Sequence, residues 1–174
     1  MTNFEDAIRN VPDFPIKGIQ FKDITTLIGN PEKFANAVDY LYGPFREMEI
    51  DKIAGIESRG FIFGAALAYK LNVGFVPIRK PGKLPAKTYS AEYQLEYGSD
   101  SLEIHTDAVA EGEKVLLIDD LLATGGTAAA ACELVERCGG EVIGLAFLIE
   151  LDFLQGRQKL KGYRIESLVH YSGE

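Results

Sequence analysis

Two adjacent carboxylates, Asp119 and Asp120, follow the apolar run Val115–Ile118, and Leu121 and Leu122 lie just beyond them. A few residues on, the chain breaks into Thr124-Gly125-Gly126-Thr127 and opens a stretch made largely of alanine. A short apolar run bounded by turn residues reads as a buried parallel strand. Carboxylates at the end of such a strand stand where open α/β sheets bind ligands. The glycines let the backbone curl, the threonines add hydroxyl donors, and a helix starting there points its unpaired N–H groups and dipole at an anion. The segment thus offers a phosphate cradle beside an acidic pair suited to vicinal hydroxyls or to a magnesium-bound ligand. Plain scaffold is the rival reading, but it leaves the charge pair against an apolar run unexplained, because burying unpaired charge is costly.

A second stretch repeats the geometry. Glu57-Ser58-Arg59-Gly60 follows the apolar run Ile53–Ile56 and precedes the helix-forming Phe61–Leu71. Taken alone, Ser58 reads equally well as a helix cap and Arg59 as a surface charge. Beside the first loop, the pair reads as a second anion site, where a guanidinium can fork onto two phosphate oxygens. Arg79, Lys80, Lys83 and Lys87 form a basic run broken by Pro81, Gly82 and Pro85. Such runs are commonly solvated surface, but here the run joins a strand to a hairpin. Neither loop is a Walker A sequence, and GxGxxG is absent.

The elements that must position these groups follow from pattern. Asn3–Asn10 reads as a short helix and Pro12–Ile28 as an ordered loop layer. Asn30-Pro31 starts a helix by N-cap and Pro at N1, running to about Tyr42, where Gly43-Pro44 ends or kinks it. Strands are predicted at Lys52–Ile56, Gly74–Arg79, Lys114–Asp119, Glu141–Ile149 and Arg164–Val169, with helices at Gly60–Leu71 and Gly126–Cys138, the latter stopped by Gly139-Gly140. Thr88–His105 alternates apolar and polar residues around Tyr97-Gly98-Ser99-Asp100, a hairpin pattern. Strands alternating with helices imply an α/β fold, a mainly parallel sheet with helices on both faces, and the hairpin is an insertion at its ligand end.

At 174 residues and 47% hydrophobic, the chain reads as one domain with a sizeable core. No apolar run reaches the length of a membrane span, and the polar start MTNFEDAIRN carries no secretory pattern. A net charge of −8 argues against nonspecific binding to nucleic acid or membrane surfaces. Cys132 and Cys138 fall on different faces of one predicted helix, which suits two reduced thiols.

KVLLIDDLLATGGT resembles the phosphoribosyl pyrophosphate (PRPP) binding motif of the type I phosphoribosyltransferases, and its ending is the form found in adenine phosphoribosyltransferases. Phe14–Thr25, Glu57–Gly64 and Arg79–His105 match the same family in the same order, with a weaker match at Glu150–Leu160, so the resemblance spans nearly the whole chain. It implies one catalytic domain of the type I fold, with a hood at about 1–28 and a flexible lid at about 80–105. It implies purine salvage: transfer of a 5-phosphoribosyl group from PRPP to N9 of adenine, giving AMP and pyrophosphate. By this resemblance Ala123, Thr124, Gly125, Gly126 and Thr127 hold the 5′-phosphate. Asp119 and Asp120 accept hydrogen bonds from the ribose hydroxyls, a metal-only role for the pair being the runner-up. Ser58 and Arg59 hold the pyrophosphate, with Tyr97 closing over it. Arg79 or Lys83 reaches the pyrophosphate of a neighbouring subunit in a homodimer.

Glu96 is the implied acid/base group, Phe21 the residue that stacks on the purine, and the backbones of Gln20 and Lys22 the readers of its edge, with Leu151 as an opposing apolar wall. Mg2+ is carried on PRPP and pyrophosphate, without direct protein ligands. The expected setting is the cytoplasm, with no nucleic-acid or membrane partner. Oxopurine-specific relatives place a lysine before an aromatic late in the chain, and Val142–Leu151 contains no lysine. PRPP-sensing regulators on this fold carry a DNA-binding domain or a basic face, and this acidic chain has neither.

Overall fold

The computed structural model describes residues 4–94 and 98–173. A single turn of 3-10 helix at Glu5–Ala7 leads into strands β1 (Arg9–Pro12) and β2 (Gln20–Asp23), an antiparallel pair, and then a short helix α1 (Thr25–Ile28). This corrects two expectations. The first helix shrinks to that turn, and Arg9–Asn10 belong to a strand; the supposed loop layer contains β2 and α1. Both strands are four residues long and mostly exposed or half-exposed, so they carry no two-residue hydrophobic period to betray them.

Helix α2 (Pro31–Tyr42) starts as its sequence requires: Asn30 Oδ1 accepts a hydrogen bond from Lys33 N at 3.0 Å, and proline occupies the first turn. A 3-10 turn at Gly43–Phe45 follows. Then come β3 (Lys52–Ile56), α3 (Gly60–Leu71), β4 (Gly74–Ile78), the hairpin β5 (Thr88–Gln94) and β6 (Ser99–His105), β7 (Lys114–Leu122), α4 (Gly126–Arg137), β8 (Glu141–Leu151) and β9 (Ile165–Tyr171). Five strands form one parallel sheet in the order β4-β3-β7-β8-β9.

Residues of β7 alternate between two cores, the two-residue period of a strand buried on both faces. Val115 and Leu117 pack with α4 and the hairpin, in a cluster that includes Ala131, Leu134, Leu102 and Ile104. Leu116 and Ile118 pack with α2 and α3, in a cluster that includes Leu41, Phe63 and Leu67. The inner face of the hairpin is part of the first core, since Ala91, Tyr93, Leu102 and Ile104 are all buried. On the other side of the sheet, a Cβ on Gly55 or Gly64 would lie within 2.8 Å of the Phe75 ring, so β3 and α3 meet over that ring only because both positions lack a side chain. No helix among the described residues is long and apolar enough to cross a membrane.

Candidate functional site

The order of the sheet decides where a ligand can sit. The chain lays down β3, crosses to β4 on one side, and returns through the hairpin to β7 on the other side of β3. The loops leaving β3 and β7 therefore diverge, and a crevice opens beyond their carboxyl ends. A cavity of about 360 Å³ occupies that crevice. Ser58, Arg59, Asp119, Asp120, Ala123, Thr124, Gly125 and Thr127 all line it, together with Glu57, Lys80 and Tyr93. Gly126 stands just behind as the first residue of α4.

Two helix N-termini face this space without side-chain caps. The N-cap of α4 is Gly125, at φ +79°, and that of α3 is Arg59. At α4 the first N–H groups can serve an anion, whereas at α3 Phe61 N already donates to Ser58 O and Ile62 N to Arg59 O, each at 3.2 Å. Ser58 is not the cap of α3, so its hydroxyl is not committed to the helix. The Glu57–Ser58 peptide bond is cis. Gly60 brings α3 against β7: a Cβ there would stand 2.9 Å from Ile118 O and 3.0 Å from Asp119 Oδ1.

The acidic pair is held in two different ways. Asp119 is half-buried, and its Oδ1 accepts a hydrogen bond from Asp120 N at 2.8 Å. Burial, reinforced by the charge of Asp120, pushes its carboxyl well above the ordinary carboxylate range. Asp120 is buried, and Arg59 Nη2 lies 2.8 Å from its Oδ2. The contact is an ion pair outside hydrogen-bonding direction, which leaves Oδ2 without a hydrogen-bond donor. Burial also raises the carboxyl of Asp120, and the Arg59 charge opposes that rise. Two carboxylates raised by desolvation and pointed into a cavity are the expected state of a polar site waiting for hydroxyl donors.

The basic residues divide. Arg79 forks onto Glu57, Nε to Oε2 at 3.2 Å and Nη2 to Oε1 at 3.0 Å, and Lys80 N donates to Glu57 Oε2 at 3.0 Å. The Arg79 hydrogen bond outweighs burial and holds the Glu57 carboxyl below its usual range. Arg79 is therefore engaged by the loop after β3 of its own chain and does not line the cavity. Lys83 is exposed on the surface beside it. Lys80, part of the basic run but not among the expected site residues, does line the cavity; its Nζ donates to Tyr93 Oη at 2.5 Å and to Asp100 Oδ2. Burial acts to lower its pKa, but the Asp100 and Tyr93 contacts outweigh it and hold the ammonium above its ordinary value. The spacing of Lys80 from Arg59 carried no sequence signal, because Lys80 reaches the cavity only through the turn after β4.

The hood residues gather at the rim. Phe21 packs edge-on to Phe14 with ring centroids 5.0 Å apart, and both line a hollow with Val11 and Asp23. Arg59 Cζ lies 5.1 Å from the Phe21 centroid, so one guanidinium touches both the hood and the main cavity. Gln20, Lys22 and Leu151 line a neighbouring hollow with Ile19 and Phe153. The ammonium of Lys22 lies 4.1 Å from the Tyr171 ring centroid and donates to Asn10 Oδ1 at 3.2 Å. Glu96 and Tyr97 lie outside the described residues.

Comparison with known proteins adds a finding of a different kind. A family profile for the phosphoribosyl transferase domain matches residues 27–167. An adenine phosphoribosyltransferase of Chloroflexus aurantiacus is 63% identical over 164 residues, covering 94% of this chain and 95% of that protein. The crystal structure of adenine phosphoribosyltransferase from Thermoanaerobacter pseudethanolicus superposes with a TM-score of 0.94 at 56% identity, covering 96% of this chain and 97% of that one. That of the Saccharomyces cerevisiae enzyme, complexed with adenine and an imino-altritol bisphosphate, has a TM-score of 0.89 at 46% identity, covering 94% and 95%.

Proposed function

This chain belongs to the adenine phosphoribosyltransferases of the phosphoribosyl transferase family, and from that membership we propose how its cavity carries the reaction. The enzyme transfers the 5-phosphoribosyl group of PRPP to N9 of adenine, giving AMP and pyrophosphate, a step of purine salvage. One observation carries the assignment of the parts: two uncapped helix N-termini, at the ends of adjacent strands, open onto one cavity with Asp119 and Asp120 between them.

The start of α4 and the loop Ala123–Thr127 take the 5′-phosphate through backbone N–H groups and threonine hydroxyls. Asp119 and Asp120 accept hydrogen bonds from the ribose 2′- and 3′-hydroxyls, and the hydroxyl donors offset the desolvation that raises both carboxyls. Ser58, Arg59 and the start of α3 take the pyrophosphate, with Lys80 as a second cation beside it. Arg59 has to turn from Asp120 toward the departing pyrophosphate, which frees Asp120 for the ribose. As the bond from C1′ to the pyrophosphate oxygen breaks, charge builds on the leaving group and the sugar passes through an oxocarbenium-like state. N9 bonds to C1′ and loses its proton, and Glu96 is the proposed acceptor. Tyr97, beside it, covers the pyrophosphate and excludes water.

For adenine, Phe21 offers a ring face, and β2 is one strand of a two-stranded sheet. Its second backbone edge is thus free for Gln20 and Lys22 to read the base edge, and Leu151 closes the far side.

Magnesium fits this site as a passenger on the substrate. Glu57 is occupied by Arg79 and Asp120 by Arg59, so among the described residues lining the cavity Asp119 is the carboxylate without an ion-pair partner, too few oxygens for a protein cage. When bound, the ion would neutralise charge on the pyrophosphate, held by PRPP and pyrophosphate oxygens. We further place the enzyme in the cytoplasm as a homodimer, the setting in which Lys83, exposed and adjacent to Arg79, is the better candidate for reaching a neighbouring site. The unpaired thiols of Cys132 and Cys138 suit that compartment.

The test is pyrophosphate release from PRPP and magnesium with adenine, hypoxanthine, guanine or xanthine in separate assays. Release with adenine alone is expected. Release with an oxopurine instead overturns the base assignment, and PRPP binding without release for any base overturns the catalytic one.

A further inference from the structure

Among the described residues the buried charged side chains are Asp120 and Glu150. The first faces the substrate cavity. The second does not line it, takes no part in the reaction above, and yet sits one strand away: Glu150 lies opposite Leu122 in the β7–β8 register, at the point where β7 gives way to the phosphate loop. Arg157 forks onto it, Nε to Oε1 at 2.6 Å and Nη2 to Oε2 at 2.8 Å, and Ser167 Oγ donates to Oε2 at 2.6 Å. Each oxygen of the carboxylate accepts at least one hydrogen bond, and His170 Nδ1 lies 2.9 Å from Asp152 Oδ1 beside it.

The residue before Arg157 explains why this clasp is placed there. Gly156 is buried against the phosphate loop with no side chain between the two backbones. A Cβ on Gly156 would stand 2.3 Å from Ala123 O and 3.1 Å from Gly125 N, and a Cβ on Gly125 would stand 2.3 Å from Gly156 O. The 3-10 turn Gly156–Leu160 is therefore a mould for the outer side of the loop, fixed at one end by the Arg157 fork and at the other by Leu160, which is buried. We propose that Arg157 is a positioning residue: its fork onto Glu150 presses the Gly156 turn against Ala123–Gly125 and so holds the curvature of the 5′-phosphate subsite. The proposal rests on reading that loop as the 5′-phosphate site. The pyrophosphate loop grows from β3, a different strand, so the clasp bears on the 5′-phosphate end of PRPP.

The experiment measures binding of ribose 5-phosphate and of magnesium pyrophosphate separately, by calorimetry, to the wild type, Arg157→Ala, Arg157→Lys and Glu150→Gln. Arg157→Ala is expected to weaken ribose 5-phosphate by up to about a hundredfold, the scale of a small displacement in a supporting group, while pyrophosphate binding is unchanged. The KM for PRPP should rise more than kcat falls. Arg157→Lys should fall between, because an ammonium keeps the charge and loses the fork. If Arg157→Ala does not fold, the same comparison is read from Arg157→Lys and Glu150→Gln. Equal weakening of both ligands, or of neither, overturns the proposal. Failure of the wild type itself to bind ribose 5-phosphate, with pyrophosphate bound, overturns the loop assignment and the proposal with it.

Discussion

Arg59 Nη2 stands 2.8 Å from Asp120 Oδ2, so the loop leaving β3 and the end of β7 are joined by an ion pair across the cavity that both line. Under the proposed roles the contact links two subsites: a ligand that draws Arg59 toward pyrophosphate would also release Asp120 for the ribose hydroxyls. Burial raises both carboxyls of the pair, and that cost is measurable.

Asp119 is held above the ordinary carboxylate range by burial and by its neighbour's charge. A raised folded-state pKa means the folded protein binds that proton more tightly than the unfolded chain does, so stability falls as pH rises from 3.8 through the raised value. Asp119→Asn removes this penalty. At neutral pH without ligand it should melt higher than the wild type by about 2–4 °C, the shift for roughly 1 kcal/mol in a chain of this size. Its kcat/KM for PRPP should fall by about tenfold to a hundredfold, the worth of a hydrogen bond to a charged group. Thermal melts from pH 4 to 8 beside steady-state kinetics check both, and a lower melting temperature for Asp119→Asn at pH 7 would contradict the account.

Gly125→Ala meets two obstacles at once, a positive φ and the Gly156 carbonyl 2.3 Å from the new Cβ. The backbone conformation alone costs about 1–3 kcal/mol, and the overlap displaces the phosphate loop. The variant should unfold at lower denaturant and lose PRPP binding. Denaturant melts with PRPP titration read the outcome, and wild-type affinity in the variant would show that the loop does not hold the phosphate.

Glu96→Gln tests the proposed proton acceptor. Turnover should drop by about two to four orders of magnitude, the contribution typical of a positioned acid or base, while PRPP affinity stays near wild type. Pre-steady-state turnover together with PRPP titration separates the two, and unchanged turnover removes Glu96 from the mechanism.

Arg79 and Lys83 can be told apart by mixing impaired homodimers. A dimer of Lys83→Ala with Asp119→Asn regains one intact site if Lys83 serves the neighbouring subunit. A dimer of Arg79→Ala with Asp119→Asn should regain nothing, because Arg79 is bound to Glu57 of its own chain. Activity after subunit exchange reads both, and restoration by the Arg79 mixture would reverse the assignment.

The parallel sheet was legible because its inner strands, β3, β7 and β8, are largely buried and print as mainly apolar runs; Lys52–Ile56 and Gly60–Leu71 have the observed bounds. β7 and β8 run past their expected ends, since the ladder continues through Asp119 and Asp120 despite their charge. The hood was not legible. Its four-residue strands contain Pro12 and half-exposed side chains, and their stability comes from pairing with each other and not from a periodic face. The cavity's acidic pair, glycine loop and Arg59 were visible as contiguous motifs. Lys80, Tyr93 and the Glu150–Arg157 clasp were not, because each depends on which distant segments the fold brings together.

The neighbouring positions of β3 and β7 have a further consequence. Adjacent strands in a sheet lie about 4.8 Å apart, and that interval is fixed by backbone hydrogen bonds that no side-chain substitution alters. The two anion loops are rooted at its two ends, so the sheet itself works as a gauge for the length of the molecule between its charged groups. Under the proposed roles, a compound with the wrong number of atoms between phosphate and pyrophosphate meets a mismatch in the scaffold, whereas a change of base bears on side chains and the β1–β2 pair.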